Sequence, residues 1–184
     1  RFSCLVDDEV MASQLSSLAE KYDLAFHVFL DLNVGMDRTG IVPEKAMALF
    51  NHCRVLKNIE VLGLHAYDGH LRDTDLEVRT KKCDQAFAAV TKLKNQIIDE
   101  TGEVPVLIAG GTPTFPIHAH RKEVECSPGT FIFWDKGYQQ LLPEQPFLFA
   151  ALVVTRIVSQ PAAGVICVDL GHKSIASENP IANR

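Results

Sequence analysis

The sequence predicts an α/β protein whose parallel sheet is read as about five of the eight strands of a (β/α)8 TIM-type barrel, followed by the start of an all-β domain. Three observations carry that reading. Through residues 1–145, short apolar runs bounded by turn residues alternate with segments of helical periodicity. Each apolar run opens onto a loop, most of them Gly-punctuated, and strand C-terminal ends are where parallel α/β proteins bind ligands. From about residue 146 the helical period stops, and residues 146–184 read as the beginning of a separate β domain.

The elements follow in order. Phe2-Ser3-Cys4-Leu5-Val6 is a short strand ending at Asp7-Asp8. Val10, Met11, Leu15, Leu18 and Ala19 then fall at helical spacing, so a helix runs to about Tyr22. Residues 25–32 form a buried strand, and a helix begins near Pro43, where proline suits a first turn. Between them lies Asp31-Leu32-Asn33-Val34-Gly35-Met36-Asp37-Arg38-Thr39-Gly40-Ile41, one Arg among carboxylates at a strand end. Residues 59–66 are the third strand. A long helix follows, with Cys83, Phe87, Val90, Leu93 and Ile97 on one face and Gly102 at its end. Residues 105–109 are the fourth strand and 124–127 the fifth, with a short helix over 115–120 between them. Residues 147–159 and 165–170 are β-rich, joined by the turn Pro161-Ala162-Ala163-Gly164.

Composition narrows the function classes. The chain has 184 residues, 47% of them hydrophobic, enough to bury a real core. No apolar run approaches the roughly 18–20 residues that span a bilayer, and no signal peptide is read. A formal charge of −5 and the lack of a basic stripe argue against a nucleic-acid surface. Five cysteines, odd in number and without CxxC spacing, read as buried free thiols in a reducing cytoplasm. The first Met is Met11 and the closing residues are polar, so a fragment of a longer chain is expected.

Two loops look suited to anions. Gly110-Gly111-Thr112-Pro113-Thr114 directly follows a strand: glycines let a backbone approach a phosphate, Thr hydroxyls donate, and a helix N-terminus follows. A tight βα turn that merely needs glycine is the alternative. Ser127-Pro128-Gly129-Thr130 ends the next strand. Two adjacent anion-type loops favour the barrel over a doubly wound open sheet, because barrels commonly hold phosphate after their last strands.

Other groups are less decided. Arg38 can donate a planar fork to a phenolate or carboxylate, or else pair with Asp31 or Asp37. The spacing from Asp31 to Asp37 does not make a calcium loop, since Val42 stands where a bidentate Glu is needed. His65, Asp68, His70 and Asp73 are a metal-capable set, and His118-x-His120 a weaker one. Tyr67 and Tyr138 are either phenols at a site or half-buried aromatics. Lys173 lies in the β-rich tail, where a structural or substrate-side role fits better than a covalent one.

Taken together, these motifs resemble the alanine racemase-like (fold type III) pyridoxal-phosphate enzymes, and within them the metal-activated D-threonine aldolase and D-serine dehydratase group. The stretches that carry the resemblance are Asp31-x-Asn33-x-Gly35-Met36-Asp37-Arg38-Thr39-Gly40, Gly63-Leu64-His65-Ala66-Tyr67-Asp68-Gly69-His70, Gly110-Gly111-Thr112-Pro113-Thr114, Ser127-Pro128-Gly129-Thr130 and Asp169-x-Gly171-x-Lys173. The resemblance implies that Arg38 bonds the cofactor's phenolic oxygen and that Tyr67 lies beside the pyridine ring. It makes Gly111, Thr112, Gly129 and Thr130 phosphate ligands. Racemases of this class carry Arg where this chain has Ser127, which points towards the aldolase and dehydratase group.

The resemblance also implies what the chain lacks. The Schiff-base Lys is expected upstream, and a His-x-Asp or His-x-Cys metal pair downstream of Arg184. No catalytic residue and no metal ligand is therefore assigned within the chain. The implied whole is a cytoplasmic homodimer with pyridoxal 5'-phosphate and a divalent metal, a lyase acting on small D-3-hydroxy amino acids. The chain by itself is expected to be inactive and, with open sheet edges, unstable alone. The alternatives are a racemase of the same fold, a non-catalytic pyridoxal-phosphate-binding protein, and a metal-dependent barrel hydrolase using His65, His70 and Asp68.

Overall fold

A computed structural model describes residues 2–171, 174 and 175. The chain divides into two compact units, Arg1–Leu148 and Phe149–Arg184. Lys173, considered above for a covalent role, lies outside the described residues.

The first unit runs β1 (Ser3–Val6), α1 (Glu9–Tyr22), β2 (Phe26–Leu32), α2 (Pro43–Val55), β3 (Ile59–Ala66), α3 (Leu76–Thr101), β4 (Val106–Ala109), α4 (Phe115–His118), β5 (Val124–Cys126), a 3-10 turn (Thr130–Ile132) and α5 (Lys136–Leu141). All five strands are parallel and lie in the order β1-β2-β3-β4-β5. A doubly wound sheet reverses its strand order at a switch point. This sheet has no reversal, so it is an arc of a β/α barrel, as the paired loops suggested.

Local chemistry sets the helix limits. Asp8 caps α1 by accepting from the Met11 N–H at 2.8 Å, and Asp75 caps α3 by accepting from Glu77 and Val78. Gly102 stops α3 in the left-handed region at φ +73°, its N–H closing on the Ile98 carbonyl. Asp135 caps α5, a helix the sequence reading did not anticipate.

Strand alternation sorts the two faces of the arc. Val28, Leu30, Leu32, Leu64, Ala66, Leu107 and Ala109 meet Ala46, Leu49, Phe50, Cys53, Phe87, Val90, Leu93 and Ile97 from α2 and α3. Full burial of each large side chain contributes about 1.5–3 kcal/mol, so this layer holds the unit together. The opposite face carries Phe29, Asp31, Gly63, His65 and Ile108. Register aligns Asp31 with His65 and His65 with Ile108, so these groups form one row across three strands.

The second unit is a hairpin of antiparallel β6 (Ile157–Ala162) and β7 (Val165–Val168), turning at Gly164 with φ +75°. Strand structure was expected across 147–159 but begins only at Ile157. β7 ends at Val168, and the Asp169 N–H extends the pairing by one bond, to the Arg156 carbonyl at 3.0 Å. The Asp169 side chain anchors that segment further, accepting from the Thr155 hydroxyl and from the Arg156 N–H and Nε.

The cysteine expectation needs correction. All five are free, but only Cys53 and Cys83 are buried. Cys4 and Cys126 are half-buried because they sit on the two edge strands, and Cys167 is exposed on the hairpin. Among the described residues, no helix is long and apolar enough to cross a membrane.

Candidate functional site

The loop after β2 is closed on itself before it presents anything. The Ile41 N–H donates to the Asp31 carbonyl and the Asn33 N–H to the Ile41 carbonyl, both at 2.9 Å. The Asn33 side-chain oxygen accepts from the Gly35 and Asp37 N–H groups. Gly40, at φ +99°, donates to Asp7 at the end of β1; a Cβ there would lie 2.6 Å from the Asn33 nitrogen. Side-chain bonds complete the closure. Asp31 is buried and accepts from His65 Nδ1 at 2.7 Å and from the Thr39 hydroxyl at 2.8 Å.

Arg38 projects from this loop and, among the described residues, forms no ion pair with Asp31 or Asp37, whose carboxylates accept from His65 and Asn33. Its guanidinium lies over the Tyr67 ring, 4.9 Å from the centroid. Tyr67 in turn lies across two glycines. A Cβ on Gly111 would stand 2.9 Å from the Tyr67 ring, and one on Gly69 would stand 2.2 Å from its hydroxyl. The glycines are there for close approach.

Loops 110–114 and 127–130 meet directly. The Thr130 N–H donates to the Thr112 hydroxyl at 3.2 Å, and the Ser127 hydroxyl to the Gly110 carbonyl at 3.0 Å. Gln145 Nε2 supports the Thr112 carbonyl from beneath at 2.9 Å. The Thr112 and Gly129 N–H groups donate to no acceptor among the described residues, and open space surrounds the position of a Gly129 Cβ. Two free backbone donors at linked glycine turns suit an anion.

The structure therefore brings Arg38, Tyr67, Gly111, Thr112, Gly129 and Thr130 into one chain of contacts along the C-terminal rim. It does not assemble the metal-capable set of His65, Asp68, His70 and Asp73. His65 Nδ1 bonds Asp31, Asp73 bonds Lys82 at 2.6 Å and His70 stands against Gly35; among the described residues these four do not converge on one point. Asp68 turns inward, to Gly111, Thr114 and His118. These residues follow one another around a loop whose side chains point to different partners, so the hydrolase reading loses its donor set. Tyr138 is half-buried and stacked on Trp134, with ring centroids 5.8 Å apart.

Burial opposes ionisation of Asp31 and Asp68, but hydrogen bonds outweigh it. His65 and Thr39 hold the Asp31 carboxyl below the ordinary range; His118, Thr114 and Gly111 do the same for Asp68. Burial, with the Asp68 charge adding to it, pushes the Cys83 thiol up to about 12, so it is no nucleophile. The sign of the pH effect follows. A lowered folded-state carboxyl pKa gives stability that is present above the unfolded value of about 3.9 and lost as pH falls through the folded value. The stability gap between the protein and an Asp31→Asn variant should thus be widest above about pH 4 and shrink below it. Urea unfolding across pH 2–7 measures this; a gap that widens on acidification contradicts it.

The inward role of Asp68 and the burial of His118 are not legible in the sequence. The available signal was weak: a His four residues after a loop Thr, on a helix too short to show a period.

A sequential parallel arc whose rim carries an Arg-on-Tyr pair and two linked glycine turns defines a β/α-barrel protein with two unused backbone donors at its strand ends. The chain belongs to the alanine racemase N-terminal domain family, whose model matches residues 1–136. It is 24% identical over 182 residues to 3-hydroxy-D-aspartate aldolase of Paracoccus denitrificans, covering 92% of this chain and 46% of that protein. It is 22% identical over 156 residues to alanine racemase of Methanococcus maripaludis, covering 82% and 41%. The crystal structure of D-threonine aldolase from Filomicrobium marinum superposes with a TM-score of 0.84 at 24% identity, over 94% of this chain and 48% of that one. The chain thus spans about half the length of these relatives.

Proposed function

We propose that this chain is the cofactor-cradling part of a cytoplasmic pyridoxal-phosphate lyase acting on D-3-hydroxy amino acids. The observation that carries the reading is the Thr130-to-Thr112 bond, which joins two glycine turns while leaving the Thr112 and Gly129 N–H groups free. Those donors and the Thr hydroxyls fit a phosphate. Arg38, one contact away across Tyr67, fits a phenolate. The donor set fits the group.

When bound, pyridoxal phosphate supplies the electron sink that stabilises a carbanion at the substrate α-carbon. The chain's own residues do the positioning. Loops 110–114 and 127–130 would hold the phosphate, and Arg38 would donate to the phenolic oxygen in a charge-assisted hydrogen bond. Tyr67, resting on Gly69 and Gly111, would lie beside the ring. Asp31 and His65 keep the Arg38 loop closed, so the guanidinium is delivered in one place. The reactive Lys and the divalent metal that would hold the substrate's 3-hydroxyl belong to the rest of the protein, a homodimer on this reading.

Two of these relatives are aldolases, which supports an aldol cleavage, and Ser127 argues against the racemase alternative. Its hydroxyl is engaged by the Gly110 carbonyl and cannot supply the charge of an Arg. The β6–β7 hairpin adds a β element beyond the barrel arc, which a barrel-only carrier does not need. Assay of the full-length protein with D-threonine or D-3-hydroxyaspartate should yield glycine and an aldehyde in equal amounts. Ammonia with a 2-oxo acid would instead mean elimination, and the L-enantiomer would mean racemisation; either overturns the aldolase reading. An Arg38→Ala variant should lose a charge-assisted bond of about 1.5–3 kcal/mol, weakening cofactor binding roughly 10- to 100-fold.

A further inference from the structure

We infer that Asp68 is a positioning residue for the phosphate loop, acting through a buried relay that runs from Asp84 to Gly111. The inference rests on the cofactor reading above and names the group that sets its geometry.

The relay begins outside. Asp84 pairs with Arg121, whose guanidinium lies 4.4 Å from the Phe87 ring centroid. Arg121 Nη1 meets His118 Nδ1. A guanidinium has donors only, so Nδ1 is the accepting nitrogen of the ring and Nε2 the donating one. That Nε2–H donates to Asp68 Oδ2 at 2.8 Å. The other oxygen, Oδ1, accepts from the Gly111 N–H at 3.1 Å and from the Thr114 hydroxyl. His118, Asp68 and Thr114 are all buried, at 1%, 3% and 0% exposure. Every bond of the Asp68 carboxylate faces the protein.

Two consequences follow for the loop. With its N–H on Asp68 and its carbonyl accepting from Thr114 and Phe115, Gly111 is fixed on both sides. The next residue, Thr112, is then the first with an unused N–H, so Asp68 decides where that donor points. Asp68 also follows Tyr67 in sequence, so one residue pair ties the ring contact and the phosphate turn to a common anchor.

Asp68, Cys83 and His118 are donor types that a transition metal accepts, and their ligand atoms lie within 4.8 Å of one another. Arg121 argues against that use. A metal on His118 Nε2 requires a proton on Nδ1, where a donor-only guanidinium already sits. The hydrogen-bonded relay is the arrangement these atoms satisfy.

The test compares pyridoxal phosphate with pyridoxal, which lacks the phosphate, in binding titrations of the full-length protein. Asp68→Asn keeps one acceptor oxygen, so its amide N–H must face either the His118 Nε2–H or the Gly111 N–H and Thr114 hydroxyl. It should weaken pyridoxal-phosphate binding about 10-fold and leave pyridoxal within about twofold. Thr114→Val should move the ratio the same way and Thr114→Ser should restore it, which keeps the test open if Asp68→Asn does not fold. Equal loss of both ligands would mean general scaffolding and overturn the inference. So would an Asp68→Asn protein that discriminates as the wild type does. A wild-type protein that binds the two ligands equally would instead overturn the phosphate-site reading itself.

Discussion

A Gly63→Ala variant should lose the pairing of β3 with β4 and fail to hold a folded sheet. The added Cβ would lie 1.9 Å from the Val106 carbonyl oxygen, 2.7 Å from its carbon and 2.8 Å from its nitrogen. All three are backbone atoms of the neighbouring strand, so no flexible side chain can give way. Gly63 stands in register with Val106 at the start of the ladder, and β4 leads directly into loop 110–114. Moving β4 therefore moves loop 110–114 as well. The cost falls among the exceptional substitutions of about 4–5 kcal/mol or more, a large share of the 5–15 kcal/mol that stabilises a typical domain. Circular dichroism with urea unfolding should show a largely unfolded variant. A loss under about 1 kcal/mol would mean that β3 and β4 do not approach this closely.

Arg79→Ala should be nearly as damaging, for an electrostatic reason. Arg79 is fully buried on α3, donating to the Asp73 carbonyl and the Glu144 carboxylate. Truncating it opens a cavity, bares the Asp73 carbonyl and leaves the solvent-exposed Glu144 without its partner, a loss of about 2–5 kcal/mol. The damage reaches the site because Gln145, next to Glu144, supports the Thr112 carbonyl. Arg79→Met combined with Glu144→Gln fills the volume and removes both charges, so it should cost much less than Arg79→Ala. Urea midpoints of the two variants decide this; equal losses would show that packing, not the ion pair, matters at Arg79.

The sequence made some of this legible and hid the rest for identifiable reasons. The five strands and α3 could be read because apolar periodicity follows directly from burial on one face. The barrel topology followed from two glycine loops at adjacent strand ends, and the sequential strand order agrees with it. The Arg38, Tyr67, Thr112 and Thr130 grouping was suggested by family resemblance, not by spacing, since those residues lie far apart along the chain. Asp68 with His118, and Arg79 with Glu144, are 50 and 65 residues apart. No local pattern marks such pairs. Arg79 even sits in an apolar helix stripe where a sequence reading places a hydrophobe, and the charge is tolerated only because its partners arrive from elsewhere. The metal-capable set erred the opposite way: neighbours in sequence were given different directions by one tight loop.

The most direct test of the cofactor cradle is a visible absorbance scan of the full-length protein with pyridoxal phosphate, before and after borohydride. The account predicts a borohydride-sensitive band in the wild type and a much weaker one at matched cofactor concentration in Arg38→Ala. No band in the wild type, or an Arg38→Ala band of undiminished strength, would contradict it.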